Sequence, residues 1–371
     1  MIHKMKFKKY VICLLATILF ILFNQCSKDA STDPDPESRH EILIETNRAF
    51  ELFNIAIAIM PSIQYDDNYV DRTTTYYQDV VSRFRPFRSH EFIQDLQNYL
   101  ETIDPTLNNL KEISLLSEFD GDSIDLSDEA YDTYVPPAMA PFMNHIVTAA
   151  NAFIADTDFH EFIDVHQEEY QTRISAFEKN VDVERMWNWL EDHFSSRYEM
   201  YYIPLSPLTG GSHFAERGEI AGKNTAVMVV SGPTSMSLND VEAGDYERIL
   251  FTEIDHNYVN PVSNLYLEQI VDAIDNLNDW NESYDYWSRY LTFNEYMTWG
   301  VFSLYAKEFY SPSVYQTVIN AMITQMVEYR GFIRFEAFHN NLLNLYENLP
   351  KSKEIEDLYP DILAWMQAYS D

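Results

Sequence analysis

Two short segments carry acids and a histidine in a pattern that could hold a metal ion. ILFTEIDHNYVNP, residues 249–261, places Glu253 and His256 three positions apart, on one face of a helix if the segment is helical. A later segment, FNEYMTWGVFSLY, opens with Asn294 and Glu295. A zinc ion held by imidazole and carboxylate ligands activates a water molecule, which another carboxylate can deprotonate. These residue types therefore point to metal-assisted hydrolysis.

The neighbouring elements must place these residues together, because an acid followed by histidine three positions later is common by chance. Residues 199–245 contain the runs YYIPL and TAVMVV and six of the nine glycines, which predicts a small antiparallel sheet just before the histidine helix. The apolar residues Ile249 to Phe251 predict the helix itself. The predicted order is a sheet, then the helix with the histidine, then a later helix with a glutamate. Gluzincin metallopeptidases have the same order of elements.

Helical periodicity dominates the rest of the chain and predicts an α+β class with helices in the majority. We expect an N-terminal helical part at 40–198 and a second part at 199–371, together forming one globular unit. The periodicity predicts helices at 40–60, 89–102, 138–155, 158–178, 181–194, 246–258, 263–278, 290–310, 313–329, 333–347 and 354–369, with a loop at 117–135.

The chain resembles the Bacteroidota family called domain of unknown function 4932, whose members are exported proteins with a zincin-like HExxH motif. The segments that carry the resemblance are YYQDVVSRF with His90, DFHEFIDVHQEEY, FTEIDHNYVNP, YWSRYLTFNEY and LYPDILAWM, over about residues 40–371. The resemblance implies a zincin-like fold. It makes Glu253 the general base, His256 the second histidine ligand, Asn260 the asparagine of the following turn and Glu295 the distal glutamate ligand.

One position departs from the family's motif: Thr252 stands where the first zinc-binding histidine belongs. A threonine hydroxyl is neutral at pH 7, whereas catalytic zinc needs three nitrogen, sulfur or carboxylate ligands from the protein. Zinc binding is therefore doubtful, and we expect a degenerate peptidase that binds a peptide or protein without cutting it. The alternative is an active metal-dependent peptidase with a replacement ligand.

Three routes could replace the missing ligand, and each competes with a simpler interpretation. Asp255 adjoins His256 but points elsewhere on a helix, where a solvated face is expected. His213 could reach the vacant position from the sheet, although a histidine without a metal role is favoured there. Glu253 could itself join His256 and Glu295 as a ligand for iron or manganese, but such sites use two motifs of this kind and one is evident.

Composition excludes some functions and leaves one further alternative open. The formal net charge of −34 argues against nucleic acid, and glycine-rich phosphate loops are absent, which argues against a nucleotide. The 26 tyrosines and 6 tryptophans could form a glycan-binding surface on an exported protein. However, Trp187, Trp189, Trp287 and Trp299 have spacings that suit a helical core, so packing is the favoured interpretation.

The N-terminus is typical of an export signal. Four lysines within residues 1–9 precede the uncharged run Tyr10 to Phe23. This run is shorter than the roughly 20 residues that a membrane-spanning helix needs. Cys26 follows at the place where a lipoprotein signal is cut and acylated. We therefore expect a signal peptide at 1–25, a disordered tether at 26–39, and an outer-membrane lipoprotein on the periplasmic or cell-surface face, held by its lipid anchor.

Overall fold

The computed structural model describes residues 40–102, 108–127, 135, 139–283 and 286–370. Residues His40–Asp371 form one compact unit. The predicted signal peptide, Cys26 and the tether lie outside the described residues. Within the described part of the chain, no helix combines the length and apolar character needed to cross a bilayer.

Helices make up most of the structure, which is α+β with a small sheet. The elements up to residue 193 are β1 (Glu41–Glu45), α1 (Arg48–Ile59), α2 (Thr75–Phe84), α3 (Glu91–Thr102), α4 (Asn108–Leu115), β2 (Ser117–Asp120), β3 (Ser123–Leu126), α5 (Ala140–Thr157), α6 (Phe159–Val165), α7 (Gln167–Asn180) and α8 (Val183–His193). The later elements are β4 (Met200–Pro204), β5 (Phe214–Ile220), β6 (Lys223–Val229), α9 (Asp240–Ile254), α10 (His256–Leu265), α11 (Leu267–Ala273), α12 (Arg289–Phe309), α13 (Pro312–Thr324), a π-helical turn (Gln325–Tyr329), α14 (Phe335–Glu347) and α15 (Tyr359–Ser370).

The main sheet is mixed, so the predicted antiparallel sheet is wrong in topology. Its order is β1-β4-β6-β5, with β1 and β6 parallel to β4, and only β5 and β6 antiparallel. The turn of that hairpin uses Ala221 and Gly222, both at positive φ, as a tight two-residue hairpin requires. The parallel pair of β1 and β4 escaped prediction because β1 comes from far outside the predicted sheet region, while β4 and β6 both lie within that region and are parallel instead of antiparallel.

The first element corrects the predicted helix at 40–60. Residues Glu41–Glu45, EILIE, form an edge strand that pairs with β4. The first three of them alternate between exposed and partly buried positions. The helix starts only at Arg48, where the Asn47 side chain accepts a hydrogen bond from the Phe50 amide at 2.9 Å. Two isoleucines in EILIE suit a strand, and the asparagine is a preferred helix cap.

Other boundaries also differ from the periodicity. The predicted helix at 158–178 is divided at His166 into α6 and α7, and the predicted loop at 117–135 begins with the β2–β3 hairpin. Helices α2 and α4 were not predicted. The predicted helix at 246–258 starts earlier, at Asp240, because Asn239 and Glu242 form a capping box.

Two large hydrophobic cores hold the unit together: the first draws on residues from Ala49 to Tyr170 together with Leu208, and the second on residues from Ile174 to Met366. The second core contains Trp187, whose ring stacks on Tyr201 of β4 at 3.7 Å between centroids. Trp189 and Trp299 are also buried, in agreement with their helical spacing. Trp287 is an exception: it is 64% exposed, so its predicted core position is wrong.

Candidate functional site

A cleft of about 1620 Å³ contains most of the residues singled out by the sequence. We define the cleft by its walls, which are the loop 66–73, the start of β5, the junction of α9 and α10, the middle of α12, and residues 325–331. Its volume exceeds the range of about 300–1,000 Å³ that is typical of sites for small molecules. The space suits part of a polymer.

The α9–α10 junction replaces the single helix that the sequence predicted. Asp255 joins the two helices, so Glu253 lies in the last turn of α9 and His256 begins α10. The carbonyl of Asp255 accepts hydrogen bonds from the amides of Tyr258 and Val259 at 2.9 and 2.7 Å, which starts α10 in the new register. Glu253 and His256 nevertheless line the same cleft.

His256 and Glu295 lie together, although they are 39 positions apart. The imidazole Nε2 is 3.6 Å from Oε1 of Glu295, which is longer than a hydrogen bond. The other ring nitrogen, Nδ1, lies 3.4 Å from Oδ1 of Asn260, one turn later on α10. A spacing of about 3.4 Å is expected between two ligands on a tetrahedral ion with bonds of about 2.1 Å. The distance between His256 Nε2 and Glu295 Oε1 is therefore close to that between two ligands of one metal ion.

Arg330, which sequence reasoning missed, occupies the other side of Glu295. Its guanidinium donates to Oε2 of Glu295 at 2.8 Å and also to the hydroxyl of Tyr286. The same group lies over the Trp299 ring, 4.6 Å from its centroid. The guanidinium is permanently charged, so it supplies to Glu295 the positive charge that a metal would otherwise provide.

Glu253 is poorly suited to act as a base in this environment. Burial and, after it, the nearby Glu295 raise the pKa of its carboxyl, while Arg330 and Arg248 lower it, and the net result is a pKa of about 8. The group is therefore mostly protonated at pH 7. A general base must be ionised to accept a proton from water, so the carboxyl lacks that capacity at neutral pH.

Thr252 lines the cleft, but its hydroxyl group donates its hydrogen bond within the helix and not into the cleft. The side chain is 3% exposed, and its hydroxyl donates to the backbone carbonyl of Arg248 at 3.0 Å, one turn earlier on α9. This local hydrogen bond is common for threonine within a helix. The residue thus contributes neither charge nor a metal-binding lone pair of useful strength.

The remaining candidates surround the site without completing it. His213 lines the cleft and lies 3.0 Å from the Ser231 hydroxyl, and burial, together with the charge of Arg248, lowers the pKa of its imidazole to about 4. It therefore stays neutral. Asn294 is 3% exposed and is not among the residues that line the cleft.

Asp255 contradicts its predicted place on a solvated face. Its side chain is fully buried, and neither carboxylate oxygen has a hydrogen-bond partner in the described part of the chain. Burial, followed by the charges of Glu253 and Glu295, raises the pKa of this carboxyl well above its usual value. Asp255 is an enclosed acid whose carboxyl group has no hydrogen-bond partner among the described residues, and it is not a replacement ligand.

The cleft residues do not converge tightly enough to fit a three-ligand metal site. Among the described residues, the only three His, Cys, Asp or Glu side chains with ligand atoms all within 4.8 Å of one another are Glu91, Asp95 and His145. They belong to α3 and α5 and not to the cleft. The set Glu253, His256 and Glu295 fails this test, as does any set with His213, so the described His, Cys, Asp and Glu side chains supply no replacement ligand.

Comparisons with models of protein families, with curated proteins and with solved structures found no match to this chain.

Proposed function

We propose that the protein is an exported lipoprotein whose cleft is a degenerate zincin-type peptidase site, holding no metal, that binds a peptide or protein segment without cutting it. The single observation that carries the proposal is the ion pair between Arg330 and Glu295 at 2.8 Å. It joins the residue that would be the distal ligand to a cation of the protein itself. A metal would have to displace or tolerate that cation.

Three further features support the loss of hydrolysis over a rescued site. Thr252 ties its hydroxyl to the backbone, and Glu253 is mostly protonated at neutral pH. Together they remove a ligand and the base. His256 lies beside Glu295, so the lining of this large, open cleft includes adjacent polar side chains. Polar and aromatic lining residues suit the binding of a peptide, and binding alone needs no activated water.

Metal content and peptide hydrolysis test this proposal on the same preparation. The full chain, purified in mild detergent, is analysed by mass spectrometry for zinc, iron and manganese before and after dialysis against zinc. We expect well under one metal ion per chain and no hydrolysis of a quenched fluorescent peptide library. One tightly held ion per chain, removed by chelator together with hydrolysis, would establish the active peptidase instead. Glu253→Gln is the matched control, because it must abolish any hydrolysis that belongs to this site.

A further inference from the structure

The cleft has an excess of carboxylates that its own basic residues do not balance. Its described lining contains seven Asp and Glu side chains and three arginines. Each arginine is already paired with a carboxylate: Arg72 with Asp67 at 2.6 Å, Arg248 with Asp245 at 2.8 Å, and Arg330 with Glu295 at 2.8 Å. Within the described part of the chain, no basic nitrogen lies within 4.0 Å of four further lining carboxylates, which are Asp66, Asp71, Glu282 and Glu328. Glu253 is left out of this charge because it is mostly protonated at neutral pH.

This negative charge is spread along the cleft and not gathered at a point. Among the described cleft residues, no three His, Cys, Asp or Glu side chains have ligand atoms within 4.8 Å of one another. Asp66 and Asp71 lie on one wall, while Glu282 and Glu328 lie on other segments of the lining. Separated charges of one sign raise the local concentration of a partner that carries several charges of the opposite sign.

Exposed aromatic rings accompany these carboxylates. Tyr329, which lines the cleft, is 80% exposed. Trp287 is 64% exposed and follows the lining residue Tyr286, and Tyr65 is 61% exposed and precedes the lining residue Asp66. The protein already places one guanidinium against such a ring, since Arg72 lies over Tyr65 at 5.8 Å. Aromatic faces attract lysine and arginine side chains as well as stacking on neutral groups.

We propose that the occupant of the cleft is a cationic peptide segment with several lysine or arginine side chains. The inference rests on the proposed function of the cleft as a peptide-binding site. The rim carboxylates Glu282 and Glu328 face such side chains, and Tyr329 offers them a ring. Specificity comes from spacing, because a segment in extended form places alternate side chains about 7 Å apart along one side.

Fluorescence anisotropy with three matched peptides tests the inference. The probes are labelled twelve-residue peptides of one Tyr, Ala and Ser background with four Lys, four Gln or four Glu residues, titrated with the full chain in mild detergent. We expect the Lys peptide to bind at least about tenfold tighter than the Gln peptide, and the preference to shrink between 50 and 500 mM NaCl. The double variant Glu282→Gln/Glu328→Gln should weaken the Lys peptide about fivefold.

A charge-matched control separates the cleft from the general acidity of the chain. Glu268→Gln/Glu336→Gln removes the same two charges from exposed positions on α11 and α14 outside the cleft and should leave the affinity unchanged. Equal weakening by both double variants would overturn the inference. Preference for the Gln or Glu peptide would overturn it while leaving peptide binding intact. Binding of no peptide, with salt-independent binding of maltoheptaose, would overturn the proposed function as well.

Discussion

Removing Arg330 should convert the cleft of a Thr252→His variant into a zinc site. The Thr252→His change restores the third ligand type, but the guanidinium still holds Oε2 of Glu295 at 2.8 Å. We therefore expect Thr252→His alone to gain little affinity for zinc. The double variant Thr252→His/Arg330→Met frees the carboxylate and removes the competing charge, while Met keeps much of the side-chain volume.

The size of the effect follows from the distances at Glu295. An ion bonded to Oε1 at about 2 Å would lie about 5 Å from the guanidinium nitrogen on Oε2. The repulsion between charges of two and one at that distance is about 1.7 kcal/mol in water and about 7 kcal/mol at an effective dielectric constant of about 20. Both side chains are largely shielded, at 21% and 11% exposure, so the lower figure is a floor. It corresponds to a gain of at least about tenfold in zinc affinity.

Competition with a chromophoric zinc chelator measures this gain, with thermal unfolding as the check that each variant is folded. The matched control is Thr252→His/Arg330→Lys, which keeps the positive charge and should bind zinc no better than Thr252→His. Two results would refute the reasoning. Equal, tight binding by Thr252→His with and without Arg330 would show that the guanidinium does not compete. Binding by the double variant no better than by the parent would show that positions 252, 256 and 295 do not meet on one ion.

Two other predictions concern the acid in the site and the wall of the cleft. Because the pKa of Glu253 is about 8 when folded and near 4.5 otherwise, the folded state loses stability as pH rises through this interval. Glu253→Gln should remove that loss, so urea unfolding should place the variant above the parent by a few kcal/mol more at pH 9 than at pH 5. An unchanged difference would show that this carboxyl does not titrate there. At Gly210, a Cβ atom would lie 2.4 Å from the Asp67 carbonyl oxygen, so Gly210→Ala should displace the 66–73 wall and cost about 1–3 kcal/mol. Gly211→Ala meets nothing closer than 3.5 Å and should be tolerated in the same thermal unfolding assay, and equal losses would contradict the contact.

The sequence anticipated the helix-rich class, because helices depend on local patterns. Apolar periodicity located α12 within one residue at each end, at 289–309 against a predicted 290–310. His256 and Glu295 were singled out together by the order of elements and by the family resemblance, and they lie 3.6 Å apart. The predicted site, its metal and the zincin-like fold stay predictions.

The sequence did not reveal the features that depend on contacts between distant segments. Arg330 sits in MVEYRGFIRF, where nothing local marks it as the partner of Glu295. The burial of Asp255 follows from the change of register between α9 and α10, which helical periodicity cannot detect. The residues of strand β1 pair with residues of β4 that lie 159 positions later in the chain. The local signal at Arg330 is a basic residue among apolar and aromatic neighbours, which indicates a partly buried arginine but does not identify its partner.

The order of the sheet has a mechanical consequence. Strand β1 forms one edge and β5, whose start lines the cleft, forms the other, three strand spacings or about 14 Å away. If the chain is anchored through the segment before residue 40, as we propose, tension would enter at the beginning of β1 and run along that strand. The hydrogen bonds between the parallel strands β1 and β4 would then share the load in shear, at the edge of the sheet opposite β5.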